Sequence, residues 1–177
     1  MKKPVDSMAE TSRIIMKSRK HKISILPFFI LIQGGLIMPF FESKEQMIDV
    51  FNEFWKRALE EKEVMEKLKK SGLVIRFDID QPTIQITINL RDETPDGSYG
   101  SIAFDSEVEP DLKVWSTSET TNKFWQGKLN ATIAMARGKV KIDGPIAKAL
   151  GLLSKIKPLY KIFPEVLKDK GLDNMIL

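Results

Sequence analysis

Two neighbouring runs constrain the fold most. Residues 73–80, "LVIRFDID", and 83–90, "TIQITINL", alternate apolar and polar side chains with a period of two. Only an extended strand sends every second residue to one face. Leu73, Ile75, Phe77 and Ile79 then share one side, and Ile84, Ile86, Ile88 and Leu90 share the other strand's matching side. Gln81 and Pro82 mark the turn between them. Two further strands are predicted in "SYGSIAFDSEV" and "DLKVWSTS", with "TPDG" closing a hairpin and Glu109, Pro110 and Asp111 forming the next turn. An antiparallel meander with one wet face accounts for this alternation.

Upstream the period changes. Met47, Ile48, Phe51, Phe54, Trp55, Ala58, Met65 and Leu68 recur at helical spacing, with charged residues between them. Ser43 is placed to cap this helix, with Gln46 as its capping-box partner, and Ser71 and Gly72 are placed to end it. Downstream, "SETTNKFWQGKL" reads as a short helix capped by Ser118 or Thr120. "NATIAMARG" reads as a second helix and "KVKIDG" as a short strand. Residues 144–171 read as helical, interrupted at Pro158 and Pro164. Leu152, Leu153, Ile156, Leu159, Tyr160 and Phe163 cover a wider apolar arc than one surface helix needs. Such an arc is either plain core or the lining of a cavity for an apolar ligand.

Charge divides the chain. Residues 1–37 hold seven Lys or Arg and two acids, whereas the remainder holds 21 bases and 22 acids. The body of the protein therefore lacks an overall basic excess, and no nucleic-acid partner is expected. Residues 23–41 carry no charge, but Pro27, Gln33, Gly34, Gly35 and Pro39 make them a poor spanning helix. No small-residue cleavage site follows to make them a signal peptide. Gln33, Gly34 and Gly35 can be encoded as CAAGGAGG, a ribosome-binding sequence, with Leu36 and Ile37 as spacer before Met38. The expectation is that residues 1–37 are translated leader and that the native domain is 38–177. The alternatives are a genuine anchor and a disordered or docked extension.

Groups for catalysis are sparse. The one histidine, His21, lies in the basic extension, and there is no cysteine. Ser-His and Cys-His nucleophiles and thiolate metal sites are thus excluded from the body of the protein. Asp78, Asp80, Asp105, Glu107 and Asp111 sit on strand faces or turns, in no spacing that selects a hydrolase. No phosphate-loop or dinucleotide glycine pattern occurs. No cofactor or metal is expected.

One segment, "FWQGKLNATIAMARGKVKIDGPIAKALGLL" (124–153), resembles the sterol carrier protein type 2 domain. An aromatic helix ending in Gly-Lys-Leu, a short helix rich in small residues and Met, a Gly-Lys-Val-Lys-Ile-x-Gly strand and a terminal apolar helix occur in that family's order. The likeness covers residues 38–171. It implies an α/β (α+β) fold: a five-stranded, mostly antiparallel sheet covered on one face by helices, with an apolar tunnel between. It further implies a lipid carrier, not an enzyme, that takes a fatty acid, acyl-CoA or phospholipid-like ligand and makes transient contact with membranes. Phe104, Trp115, Phe124, Trp125, Ile133, Met135, Leu150, Leu153, Ile156 and Tyr160 are the residues expected to line the tunnel. The final residues "DNMIL" differ from the peroxisomal Ser-Lys-Leu address, and the composition reads as prokaryotic, so a cytoplasmic location is expected. Two alternatives stay open. One is an accessory or tethered domain of a lipid-metabolising enzyme, with Asp105, Glu107 and Lys113 as polar candidates. The other is a lipid-binding protein anchored through residues 23–41.

Overall fold

The computed structural model describes residues 40–93 and 99–177. The extension 1–37 with His21, the expected start at Met38 and the "TPDG" turn lie outside the described residues. No described helix is long and apolar enough to cross a membrane.

Helix α1 (Lys44–Glu60) begins where its cap requires. Ser43 takes the Gln46 backbone N–H at 3.1 Å, and the Gln46 side chain takes the Glu42 N–H at 2.9 Å. Met47, Val50, Phe51, Phe54, Trp55 and Ala58 form its buried face. Burying each large apolar side chain is worth roughly 1.5–3 kcal/mol. The single helix expected to run to Gly72 is in fact two. At Glu61 (φ −80°, ψ 66°) the chain turns and α2 (Lys62–Lys69) starts afresh. No Pro or Gly signals this break. It redirects Val64, Met65 and Leu68 into the core as α2 packs against the sheet.

Five strands form one mixed sheet: β1 (Val74–Asp80), β2 (Ile84–Glu93), β3 (Tyr99–Phe104), β4 (Leu112–Thr117) and β5 (Lys141–Asp143), in the order β3-β2-β1-β4-β5. The first three make the expected antiparallel meander, but β4 does not continue it. It returns to the free edge of β1 and runs parallel to it, Phe77 facing Val114. Alternation fixes which face of a strand is buried, not which edge it joins.

Asp111 makes that junction. Its N–H donates to the Val74 carbonyl at 2.9 Å, and its carboxylate accepts the Val74 N–H at 2.7 Å and the Arg91 guanidinium. Across the junction Gly144, at φ +118°, lies so close that a Cβ there would sit 2.4 Å from the Asp111 carbonyl oxygen. The Val74 N–H, and after it Arg91, hold the Asp111 carboxyl below the ordinary carboxylate range. A depressed folded pKa stabilises the fold fully above the unfolded value near 4. That stabilisation is lost as pH falls through the folded pKa. Asp111→Asn is expected to cost about 1–2 kcal/mol at pH 7 and to flatten the acid limb of stability. Urea unfolding at pH 7 and at pH 3–5 measures both.

The sheet's second face is less wet than expected. Val74 and Thr87 are buried there, and Arg76 and Asp78 are largely covered. Gln85 donates to the Asp78 carboxylate at 2.7 Å and Arg91 to the Gly72 carbonyl at 2.9 Å, so long polar side chains lie flat across the strands.

Four helices follow β4 or frame β5: α3 (Ser118–Trp125), α4 (Ala131–Ala136), α5 (Ile146–Leu153) and α6 (Ile162–Asp169). The cap of α3 is Thr117, whose hydroxyl takes the Thr120 N–H at 3.2 Å, rather than Ser118 or Thr120. A 3-10 turn (Lys157–Lys161) opens at Pro158, as expected of a proline stop. Pro164 interrupts nothing: it lies in the first turn of α6, where its missing N–H has no helical partner to lose. Helix α6 packs on α1, with Phe163 at 5.5 Å from Phe51 and 5.2 Å from Phe54 between ring centres.

Candidate functional site

An apolar pocket lies between the sheet and the helices. Its floor is the inward face of four strands: Ile75 and Phe77 from β1, Ile88 and Leu90 from β2, Leu112, Val114 and Ser116 from β4, and Ile142 from β5. Trp55 and Leu68 close it from α1 and α2, and Phe124 and Trp125 from α3. The outer wall comes from the C-terminal third: Leu129, Ala131 and Met135 around α4, Val140, and Ala149, Leu150, Leu152 and Leu153 of α5, with Ile156 and Leu159 beyond. No charged side chain lines it.

The pocket holds about 110 Å³ of space open to the centre of a water molecule. One water needs roughly 10–15 Å³ on that measure, so the space suits on the order of ten water-sized groups. Its few polar side chains satisfy one another. Ser116 and Thr121 hydroxyls are 2.8 Å apart, and Thr117 donates to Thr120 at 3.0 Å. The indole N–H groups of Trp55 and Trp125 are buried and have no acceptor among the described residues.

Of the ten residues expected at a tunnel, the structure places Phe124, Trp125, Met135, Leu150, Leu153 and Ile156 along this pocket. The other four lie elsewhere. Trp115 follows Val114 on β4, so it points to the opposite face, in a separate depression with Asp80, Glu119, Lys139 and Lys141. Ile133 is 48% exposed because α4 buries only Ala134. Phe104 ends the outermost strand and packs on the edge of the core. Tyr160 stands behind Phe124, ring centres 6.2 Å apart, and fills the space a Cβ on Gly127 would need. Burial pushes its hydroxyl pKa up. The floor residues Ile75, Phe77, Ile88, Leu90, Leu112, Val114 and Ile142 are not among those ten, although their alternation is visible in the sequence.

The polar candidates stand apart from the pocket. Asp105 pairs with Lys44 and accepts the Gln85 N–H, and Lys113 pairs with Glu109 at 3.7 Å. Lys44, with the Gln85 N–H, holds the Asp105 carboxyl below its usual range, as an ion-paired surface carboxylate is held. Among the described residues no group of three or more Asp, Glu or His is arranged to hold a metal ion.

Solved structures of similar fold include sterol carrier protein 2 from Yarrowia lipolytica in its apo form. It is 20% identical, with a TM-score of 0.47, and the match covers 62% of this chain and 88% of that one. The sterol carrier protein domain 2 of Helicoverpa armigera is 21% identical with a TM-score of 0.49, over 64% of this chain and 89% of that one. The sec-alkylsulfatase Pisa1 from Pseudomonas sp. matches at 21% identity and a TM-score of 0.43, over 51% of this chain but only 14% of the sulfatase. No curated protein sequence matches the chain. The sequence profile of the SCP-2 sterol transfer family matches residues 51–156, well over half of the chain. The protein belongs to the SCP-2 sterol transfer family.

Proposed function

We propose that residues 38–177 form a lipid carrier that shelters the acyl chain of a fatty acid, acyl-CoA or phospholipid-like ligand in the pocket and performs no chemistry of its own. The observation that carries this reading is the pocket's lining, which has no charged side chain and whose hydroxyls are already paired. Such a wall attracts a ligand through buried apolar area alone. About ten methylenes at roughly 0.8 kcal/mol each give on the order of 8 kcal/mol before ordering costs. That gross figure corresponds to a dissociation constant of about 1 μM. Met135 adds a flexible wall that adapts to different chains.

Titration with dodecanoate or palmitate, dispersed below aggregation and followed by tryptophan fluorescence, tests this. Trp55 and Trp125 line the pocket, so a saturable one-to-one change is expected. Unchanged fluorescence, with no lipid retained after gel filtration, would refute the reading. Cholesterol displacing the fatty acid with equal affinity would widen the ligand class to sterols.

A further inference from the structure

The pocket has an open end and a closed end. Ile142, Val114 and Phe77 lie along one register row of the floor, and all three are half-buried. Leu112, Ile75 and Ile88 form the next row, and all three are buried. The helical wall shows the same gradient. Met135, Val140 and Ala149 are half-buried and Leu150 is 38% exposed, whereas Trp55 and Leu68 are buried. The open end therefore lies beside β5 and α5, and the closed end beside β2 and α1.

Trp55 stands at the closed end. A Cβ on Gly100 of β3 would lie 3.5 Å from the rim of the Trp55 indole and 3.5 Å from the Leu90 side chain. The indole thus reaches over β2 to the edge strand, and no described residue of β3 lines the pocket. From β5 to β2 there are three strand spacings, about 14 Å. An extended chain advances roughly 1.2 Å per bond, so about eleven or twelve bonds cross that distance. The room for on the order of ten water-sized groups agrees with this length.

We propose that Trp55 is the stop against which the methyl end of the acyl chain rests, and that it tunes this carrier to chains of about ten to twelve carbons. This rests on the pocket being a lipid site. The chain enters methyl end first, because a carboxylate at the closed end would meet no cationic side chain, whereas at the open end it stays hydrated. Up to the stop, each added methylene leaves water and tightens binding about fourfold. Beyond it, further carbons remain outside the pocket and add little. Trp55 belongs to the buried face of α1, so the stop is part of the core and not of the open wall.

Affinities of the full chain for octanoate, decanoate, dodecanoate, tetradecanoate, palmitate and stearate, each dispersed below aggregation, test this. In the parent they should tighten about fourfold per carbon up to dodecanoate and level off beyond it. Trp55→Leu should carry the rise about four carbons further, and Trp55→Phe about two, because the space left by the indole closes only in part. Leu150→Ala, at the open end, should weaken every chain by a similar factor and leave the levelling point in place. Dodecanoate with bromine on its last carbon should quench tryptophan emission more than dodecanoate brominated beside the carboxylate. Trp55→Phe should remove that difference. It keeps a buried aromatic ring, so it decides by both readings if Trp55→Leu does not fold. An unmoved levelling point in a folded Trp55 variant, or stronger quenching by bromine beside the carboxylate, would overturn the stop while leaving the carrier reading intact. A parent chain that binds none of these acids would sink the carrier reading and the stop with it.

Discussion

Ala149→Trp is expected to weaken fatty-acid binding at least tenfold while leaving the fold intact. Ala149 lies in the lining stripe of α5, where only Leu152 is buried, so an indole at this position projects into existing space rather than into packed core. The pocket has room for on the order of ten water-sized groups, and an indole consumes most of it. Surface and cavity-side substitutions of this kind change stability by about 1 kcal/mol or less when no core contact is broken. The check is a fatty-acid titration alongside a urea melt. Full-strength binding in a folded variant would place the ligand outside this pocket. Loss of binding together with loss of folding would be resolved by Leu153→Phe, a milder filling of the same wall.

Phe163→Ala is expected to have the opposite signature: a large loss of stability with little direct effect on the pocket. Phe163 is fully buried, meets Phe54 edge-to-face at an interplanar angle of 85°, and lies outside the pocket lining. Truncating a buried phenylalanine costs about 3–5 kcal/mol through lost transfer energy and the cavity left behind. Natural domains have only about 5–15 kcal/mol in all. The midpoint of thermal unfolding should therefore fall by about 10 °C or more. At low temperature the folded fraction should still take up fatty acid. A change below about 1 kcal/mol would mean that α6 does not seal the core against α1 in the way its aromatic contacts indicate.

How far the sequence spoke depends on which physical rule each feature obeys. The buried faces of α1, β1 and β2 were readable because a period of 3.6 or 2 fixes a face wherever one side meets a core. Strand order was not, because a strand of given alternation serves equally at the free edge of β3 or of β1. Asp111, which ties β4 to that edge, looked like a turn residue. The break at Glu61 carries no Pro or Gly and follows from the need of α2 to reach the sheet. Eight of the ten residues expected at the site lie between Phe124 and Tyr160, which favours the helical wall. The strand floor, Ile75 to Ile142, is visible as inward alternation, which marks a covered face without telling core from cavity lining. Trp115, expected in the tunnel, stands one residue after Val114 and so turns to the other face.

The central claim is that this pocket holds a lipid, and native mass spectrometry of the full chain with lipid extraction tests it most directly. Protein purified from its own source without delipidation should show a bound species at one per chain. Extraction should yield an acyl lipid, and Ala149→Trp prepared in parallel should lose it. A parent protein that appears only as the bare chain, and remains so after incubation with dispersed fatty acid, would contradict the account.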